Sequence, residues 1–162
     1  MNSSDLTKEG FSGFVSVKEL MENKNLAPNL MGVYAIIRNS SSKPKFLVKG
    51  SGGFHKGEDP NVDVAELKNN WIENSDILYI GKAGSIGKKA TLRSRLDQYM
   101  RFGQGCNVGH KGGRYIWKLE DHLDLTVCWK VTKEEPRDVE ARMIQSFKDE
   151  HQGRRPFANL QD

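Results

Sequence analysis

From residue 123 to 131 apolar side chains recur at every second position, Leu123, Leu125, Val127, Trp129 and Val131, with Asp124, Thr126, Cys128 and Lys130 between them. A period of two sets one side of a strand against a core, so this stretch is expected as a half-buried strand. "MGVYAIIR" (31–38) is β-branched and aromatic, enters through the Pro28 turn and stops in a Ser/Asn cluster, and "DILYIG" (76–81) is short and apolar; both read as strands. "KFLVKG", after the "NSSSKPK" turn at 39–45, is a further strand candidate, and the glycine-rich "GSGGFHKGEDP" (50–60) is a loop by composition.

Helical spacing appears elsewhere. Leu92, Leu96, Tyr99 and Met100 stand at i, i+4, i+7 and i+8, the stripe of an amphipathic helix. Val139, Met143, Ile144 and Phe147 form a second stripe, with Pro136 suited to the helix start and Gly153 to its end. Ser16 is a candidate N-cap for "SVKELMEN" (16–23), and Val64, Leu67 and Trp71 predict a helix in "VDVAELKNNWI". "GHKGGRYIWKLEDH" (109–122) is ambiguous: Tyr115 with Leu119 is helical spacing, whereas its aromatic and branched content favours a strand; a helix is the preferred reading. Three separated core strands with helices around them predict an α+β layer.

At 162 residues the chain fits a single domain that buries a core without disulfides or metals. The N-terminus has no apolar signal region and no run approaches the ~18 apolar residues of a membrane span, so a soluble, cytoplasmic protein with no membrane partner is expected. Cys106 and Cys128 form no C-x-x-C pair and read as structural filler.

Charge changes the picture. The chain carries +4 overall, but residues 81–118 hold nine basic side chains and one acid, Asp97; that segment's +8 leaves −4 for the remainder. Such asymmetry fits a polyanion-binding face, and the basic residues are interleaved with Tyr99, Phe102, Tyr115 and Trp117. Lys88, Lys89, Arg93, Arg101, His110, Lys111 and Arg114 are the candidate nucleic-acid contacts, although Lys88 and Lys89 also suit a solvated helix and His110 a surface loop. A nucleotide cofactor is not expected. A P-loop requires glycine five residues before Gly87, where Lys82 stands, and a hydroxyl after Lys88, where Lys89 stands; Gly81, Gly84 and Gly87 contain no G-x-G pair either.

"GVY" at 32–34, "YIG" at 79–81, "LRSRLDQYM" on the basic helix, Glu140 on a later helix and "PFAN" closing on Asn159 occur in an order that resembles the GIY-YIG nuclease superfamily, over roughly residues 31–160. The resemblance implies a small central three-stranded antiparallel sheet flanked by helices, with the active site on one sheet face. It implies Tyr34 and Tyr79 as paired tyrosines, Arg95 as the helix arginine, Tyr99 one turn later, Glu140 as the metal ligand, Asn159 as the C-terminal asparagine and Lys82 beside "YIG". Two departures stand out. Residues 1–30 form an N-terminal extension, expected to be helical, and an insertion at 38–75 separates the two tripeptide strands, which loop-closure entropy tolerates. No DNA-binding domain is appended, so target specificity does not carry over.

These residue types suit phosphodiester hydrolysis. Tyr34 would take a proton from water, which requires its phenol pKa to fall from ~10 with Lys82 and the metal as the lowering cations. Arg95 would grip a non-bridging oxygen with its planar fork. Glu140 would hold one Mg²⁺ or Mn²⁺ per active site. Tyr79 and Tyr99 would orient water or phosphate, and Asn159 would fix the phosphate or a neighbouring side chain. Taken singly, each has a plainer reading: sheet packing for the tyrosines, a helix-dipole partner for Glu140, a turn for Asn159. Arg93 competes with Arg95 and Asp138 with Glu140, each about 200° away around its helix. The expected function is a metal-dependent endonuclease on double-stranded or branched DNA, in repair, restriction or mobile-element biology. A non-catalytic nucleic-acid-binding module and a nuclease acting on RNA are the alternatives.

Overall fold

The run "GVYAII" has no side chain charged at neutral pH, and the strand it forms is buried at every position because it lies inside the sheet. The structure, a computed structural model, describes residues 1–47, 63–106 and 113–161. Its elements in chain order are α1 (Ser3–Lys8), β1 (Ser12–Ser16), α2 (Val17–Glu22), β2 (Gly32–Ile37), α3 (Val64–Asn70), β3 (Ile77–Ala83), α4 (Leu92–Gly103), β4 (Thr126–Val131) and α5 (Pro136–Glu150), with short 3₁₀ turns at Lys24–Leu26, Arg114–Lys118 and His122–Asp124. The strands form one antiparallel sheet in the order β1-β4-β2-β3. The fold is α+β, as the patterning predicts, but the sheet has four strands and not three.

The fourth strand, β1, comes from the N-terminal extension, which is therefore not purely helical. It carries no alternation to read: most of its residues are exposed, its register slips between Gly13 and Val15, and Phe14 adopts φ 56. Gly13 is required there, since a Cβ would stand 2.6 Å from the Trp129 ring of β4. The start of the predicted 123–131 strand is also different, because His122–Asp124 coils into a 3₁₀ turn and β4 begins at Thr126. "GHKGGRYIWKLEDH" yields neither a strand nor an α-helix in its described part, but the 3₁₀ turn Arg114–Lys118 entered through left-handed Gly113. Of "KFLVKG", Phe46 makes one isolated bridge to Leu119; the 50–60 loop lies outside the described residues.

Two cores sandwich the sheet. On one face Tyr34, Ile36, Val127 and Trp129 pack against the α4 stripe and Trp117. On the other, Val33, Ala35, Ile80 and Cys128 pack against the predicted α5 stripe and Leu6 of α1. Full burial of each such side chain contributes about 1.5–3 kcal/mol, which holds α4 and α5 on opposite faces. Local signals set the helix ends: Ser16 and Thr91 close capping boxes with Glu19 and Ser94, and Pro136 opens α5. Among the described residues no helix is long and apolar enough to cross a membrane.

Candidate active site

β2 and β3 pair so that Tyr34 faces Gly81 and Ile36 faces Tyr79. The glycine of "YIG" is what lets the Tyr34 ring lie across β3: a Cβ on Gly81 would stand 2.4 Å from that ring. Tyr34, Tyr79 and, from α4, Tyr99 form a triangle of rings with centroids 6.0, 5.7 and 6.3 Å apart. Tyr99 is fully buried and donates its hydroxyl to the Gly113 carbonyl at 2.6 Å.

Beside this triangle opens a cavity of about 630 Å³. Tyr34, Tyr79, Lys82, Arg95, Glu140 and Asn159 all line it. Tyr99 does not; it stands behind the wall and supports Gly113, which does. Tyr34 and Tyr79 belong to the core on the α4 side of the sheet, whereas Ile144, also in the lining, belongs to the α5 side. The cavity therefore runs over the edge of the sheet instead of resting on one face as the resemblance implies, because β3 is the edge strand among the described residues and only the C-terminal segment, through Ala158 and Asn159, bonds its outer backbone.

Arg95 and Arg93 diverge as their helical spacing requires. Arg95 lines the cavity and donates to Gln98 Oε1 at 2.9 Å, while Arg93 donates to the carbonyl of Ala27 at 3.0 Å on the far side of α4. Asn159 clamps β3: its amide nitrogen donates to the Ile80 carbonyl and its oxygen accepts from the Ile80 N–H, both at 2.9 Å. This pins the C-terminal segment against the strand that carries Tyr79.

The insertion reaches the same wall. Phe46 and Trp71 close an aromatic group with Phe157, two residues before Asn159, at centroid distances of 5.9 and 5.1 Å. Glu66 of α3 accepts the Tyr115 hydroxyl at 2.6 Å, beside the cavity-lining Arg114. Arg38, at the mouth of the insertion, pairs with Asp121 at 2.9 Å and donates to the Ser42 carbonyl at 2.8 Å.

Burial governs the site's acid–base character. It pushes the Tyr34 phenol well above its ordinary value, with the neighbouring Tyr79 adding to the rise and Arg95 opposing it. Burial likewise raises Tyr79 to about 12, with the Glu140 charge assisting. In this structure Arg95, and not Lys82, is the cation that bears on Tyr34. Lys82 acts on Glu140 instead: desolvation raises that half-buried carboxyl above its ordinary range, while Lys82 and then Arg137 draw it back.

Sequence reasoning overlooked Arg137. It lines the cavity three residues before Glu140, a spacing that puts both side chains on one face of α5; the same rule applied to Glu140 exposes it. Arg114, expected only as a general nucleic-acid contact, also lines the cavity, so four cations, Lys82, Arg95, Arg114 and Arg137, surround Glu140. Lys88 and Lys89 are exposed on the loop after β3. Arg93 and Arg101 border a separate open groove of about 300 Å³ with Lys24. His110 and Lys111 lie outside the described residues.

For a metal, Glu140 is the sole carboxylate in the described lining, with phenol oxygens nearby, and among the described residues no three His, Cys, Asp or Glu side chains gather. One carboxylate in a water-accessible cavity suits Mg²⁺ or Mn²⁺, which keep several waters and need few protein ligands. It does not suit a closed zinc site. Compared with known proteins, the chain matches no protein-family profile, no curated protein and no solved structure.

Proposed function

We propose that this cavity hydrolyses phosphodiester bonds of DNA, as a metal-dependent endonuclease of GIY-YIG type. One observation supports the reading above others: six residues scattered from 34 to 159, singled out by their order along the chain, line one cavity. Random surface tyrosines, arginines and a glutamate would have no reason to meet.

The chemistry follows from the side chains. A phosphodiester entering a site with four cations loses the charge repulsion that protects it from attack. Arg95 holds a non-bridging oxygen with its fork, and Arg114 and Arg137 add positive potential from the other walls. At neutral pH the buried Tyr34 is a protonated phenol, so it serves as the base only after its own proton has passed to solvent. As the water oxygen then bonds to phosphorus, the bond to the 3′ oxygen breaks; the Tyr34 phenolate takes the water's proton and a solvent water protonates the departing 3′ oxygen. A divalent ion on Glu140 supplies Lewis-acid polarisation of the phosphate and charge for the leaving group. Tyr99, through Gly113, and Asn159, through Ile80, hold the walls in place.

The test uses oligonucleotides: duplex, branched and single-stranded DNA with RNA beside them, against wild type, Arg95→Ala and Glu140→Ala. Both variants should still bind DNA, Arg95→Ala more weakly for its lost phosphate contact, and lose cleavage at saturating protein; removing one preorganised charge contact costs about 10²–10³ in rate. Full activity in either variant overturns that residue's role, and preferential cutting of RNA reassigns the substrate.

A non-catalytic binding module has one observation in its favour, the protonated and buried state of Tyr34 and Tyr79. Salt-sensitive binding with no cutting of any of these substrates under Mg²⁺ or Mn²⁺ would establish it.

A further inference from the structure

The chain from Gly84 to Ala90 joins β3 to α4 at the rim of the cavity. Lys82, two residues before it, lines the cavity, and the middle of the loop is tied to the start of α5: the Ile86 N–H donates to Glu135 Oε2 at 3.1 Å. Glu135 precedes the lining residue Arg137 by two positions, so both anchors of the loop flank the cavity. Gly84 and Gly87 adopt left-handed φ of 83 and 79, and Gly84 has no room for a side chain, with Ala90's carbonyl 2.4 Å from where a Cβ would stand. The loop is thus a tight, tethered turn.

At its tip stands Ile86, 60 % exposed, the most exposed large hydrophobic among the described residues. Exposed Lys88 and Lys89 follow it directly. Leu30 and Val131, also exposed, lie at the same end of the sheet, since Gly32 pairs with both Ala83 and Val131. An apolar point backed by two lysines, on a turn fixed beside a cationic cavity, matches the chemistry of a duplex: phosphates for the lysines and a base stack for the side chain between them.

Resting on the nucleic-acid reading above, we propose that the Gly84–Ala90 loop is a wedge for double-stranded DNA, with Ile86 inserting between base pairs beside the scissile phosphate while Lys88 and Lys89 hold the flanking backbone. Insertion opens a base step and untwists the helix, which presents a strained phosphodiester to the cavity. The partner is duplex DNA, whose stacked bases give the isoleucine something to separate.

Untwisting is measurable whatever the recognition sequence. Relaxed plasmid is incubated with the protein and a metal-independent topoisomerase in EDTA, deproteinised, and its topoisomers resolved, with binding followed in parallel by anisotropy on a duplex. Wild type should shift the distribution in proportion to bound protein. Compared at equal bound protein by the anisotropy readout, Ile86→Ala should abolish the shift and Ile86→Leu should retain it. Lys88→Ala with Lys89→Ala should flatten the slope of log affinity against log salt by about 2. An undiminished shift in Ile86→Ala, or wild-type binding with no shift, overturns the wedge. Metal-dependent nicking without an Ile86-dependent shift leaves the nuclease standing and removes the wedge. An Ile86-dependent shift in a protein that cuts nothing does the reverse, and absence of DNA binding removes both.

Discussion

Tyr34, Tyr79, Tyr99 and Tyr115 are the chain's four tyrosines, and burial raises every one above the ordinary phenol value of 10.0. An absorbance titration of the folded protein should therefore show no phenolate forming near pH 10, with Tyr79 and Tyr115 ionising at about 12. A phenol that titrates near 10 in the native state would contradict the packing of the tyrosine triangle. The linkage has a definite sign. Folded values above unfolded ones mean that the stabilisation is fully present below pH 10 and is lost as pH rises through the folded values, so denaturant stability should fall steeply between about pH 10 and 12. Glu140 is also raised, by burial, and a carboxylate coordinates a cation only when ionised, so the proposed metal site should be pH-dependent. Mn²⁺ affinity measured by EPR should decline on acidification with a midpoint above the ordinary carboxyl value of 4.5. Replacing Lys82 or Arg137 by Met should move that midpoint to higher pH, since both now lower it; a midpoint unmoved in both variants would separate them from Glu140.

The helices α4 and α5 were legible because periodicity and end signals agree, the Leu92–Met100 and Val139–Phe147 stripes being buried and Pro136 standing in the first turn; β2 and β3 were legible from continuous β-branched and aromatic content, which matches strands buried almost throughout. β1 was not legible, because an edge strand with a glycine at φ 92 and a slipped register has no alternation to find. The Arg114–Lys118 turn was misread because Tyr115 and Leu119 stand at helical spacing, while the segment is too short to propagate beyond a 3₁₀ turn. Two substitutions test the element packing. Phe147→Ala, in the α5 core, should cost about 3–5 kcal/mol in denaturant unfolding. Gly81→Ala should cost about 1–3 kcal/mol by overpacking and should displace Tyr34, visible as a phenol that titrates closer to 10; an unperturbed variant would mean that the ring does not lie over β3.

At the scale of the whole molecule, the site was legible through order along the chain and not through spacing, since residues from five different segments form it. Arg137 was within reach of the helical spacing that places it beside Glu140; what stayed hidden were the contributions that only folding creates, Asn159 spent on the Ile80 backbone and an insertion whose Phe46, Trp71 and Glu66 brace the wall carrying Phe157 and Tyr115. The charge asymmetry of residues 81–118 survives folding as three of the four cations around the cavity, Lys82, Arg95 and Arg114, with Lys88 and Lys89 exposed on the loop after β3. We propose that this convergence cuts phosphodiester bonds with a cation held by Glu140, and supercoiled plasmid incubated with wild type or Glu140→Ala, in Mg²⁺, Mn²⁺ or EDTA, is the decisive measurement. Wild type with either metal should yield nicked and then linear DNA, with none in EDTA and none with Glu140→Ala at equal DNA binding. Equal nicking by the variant, or nicking undiminished in EDTA, would contradict it.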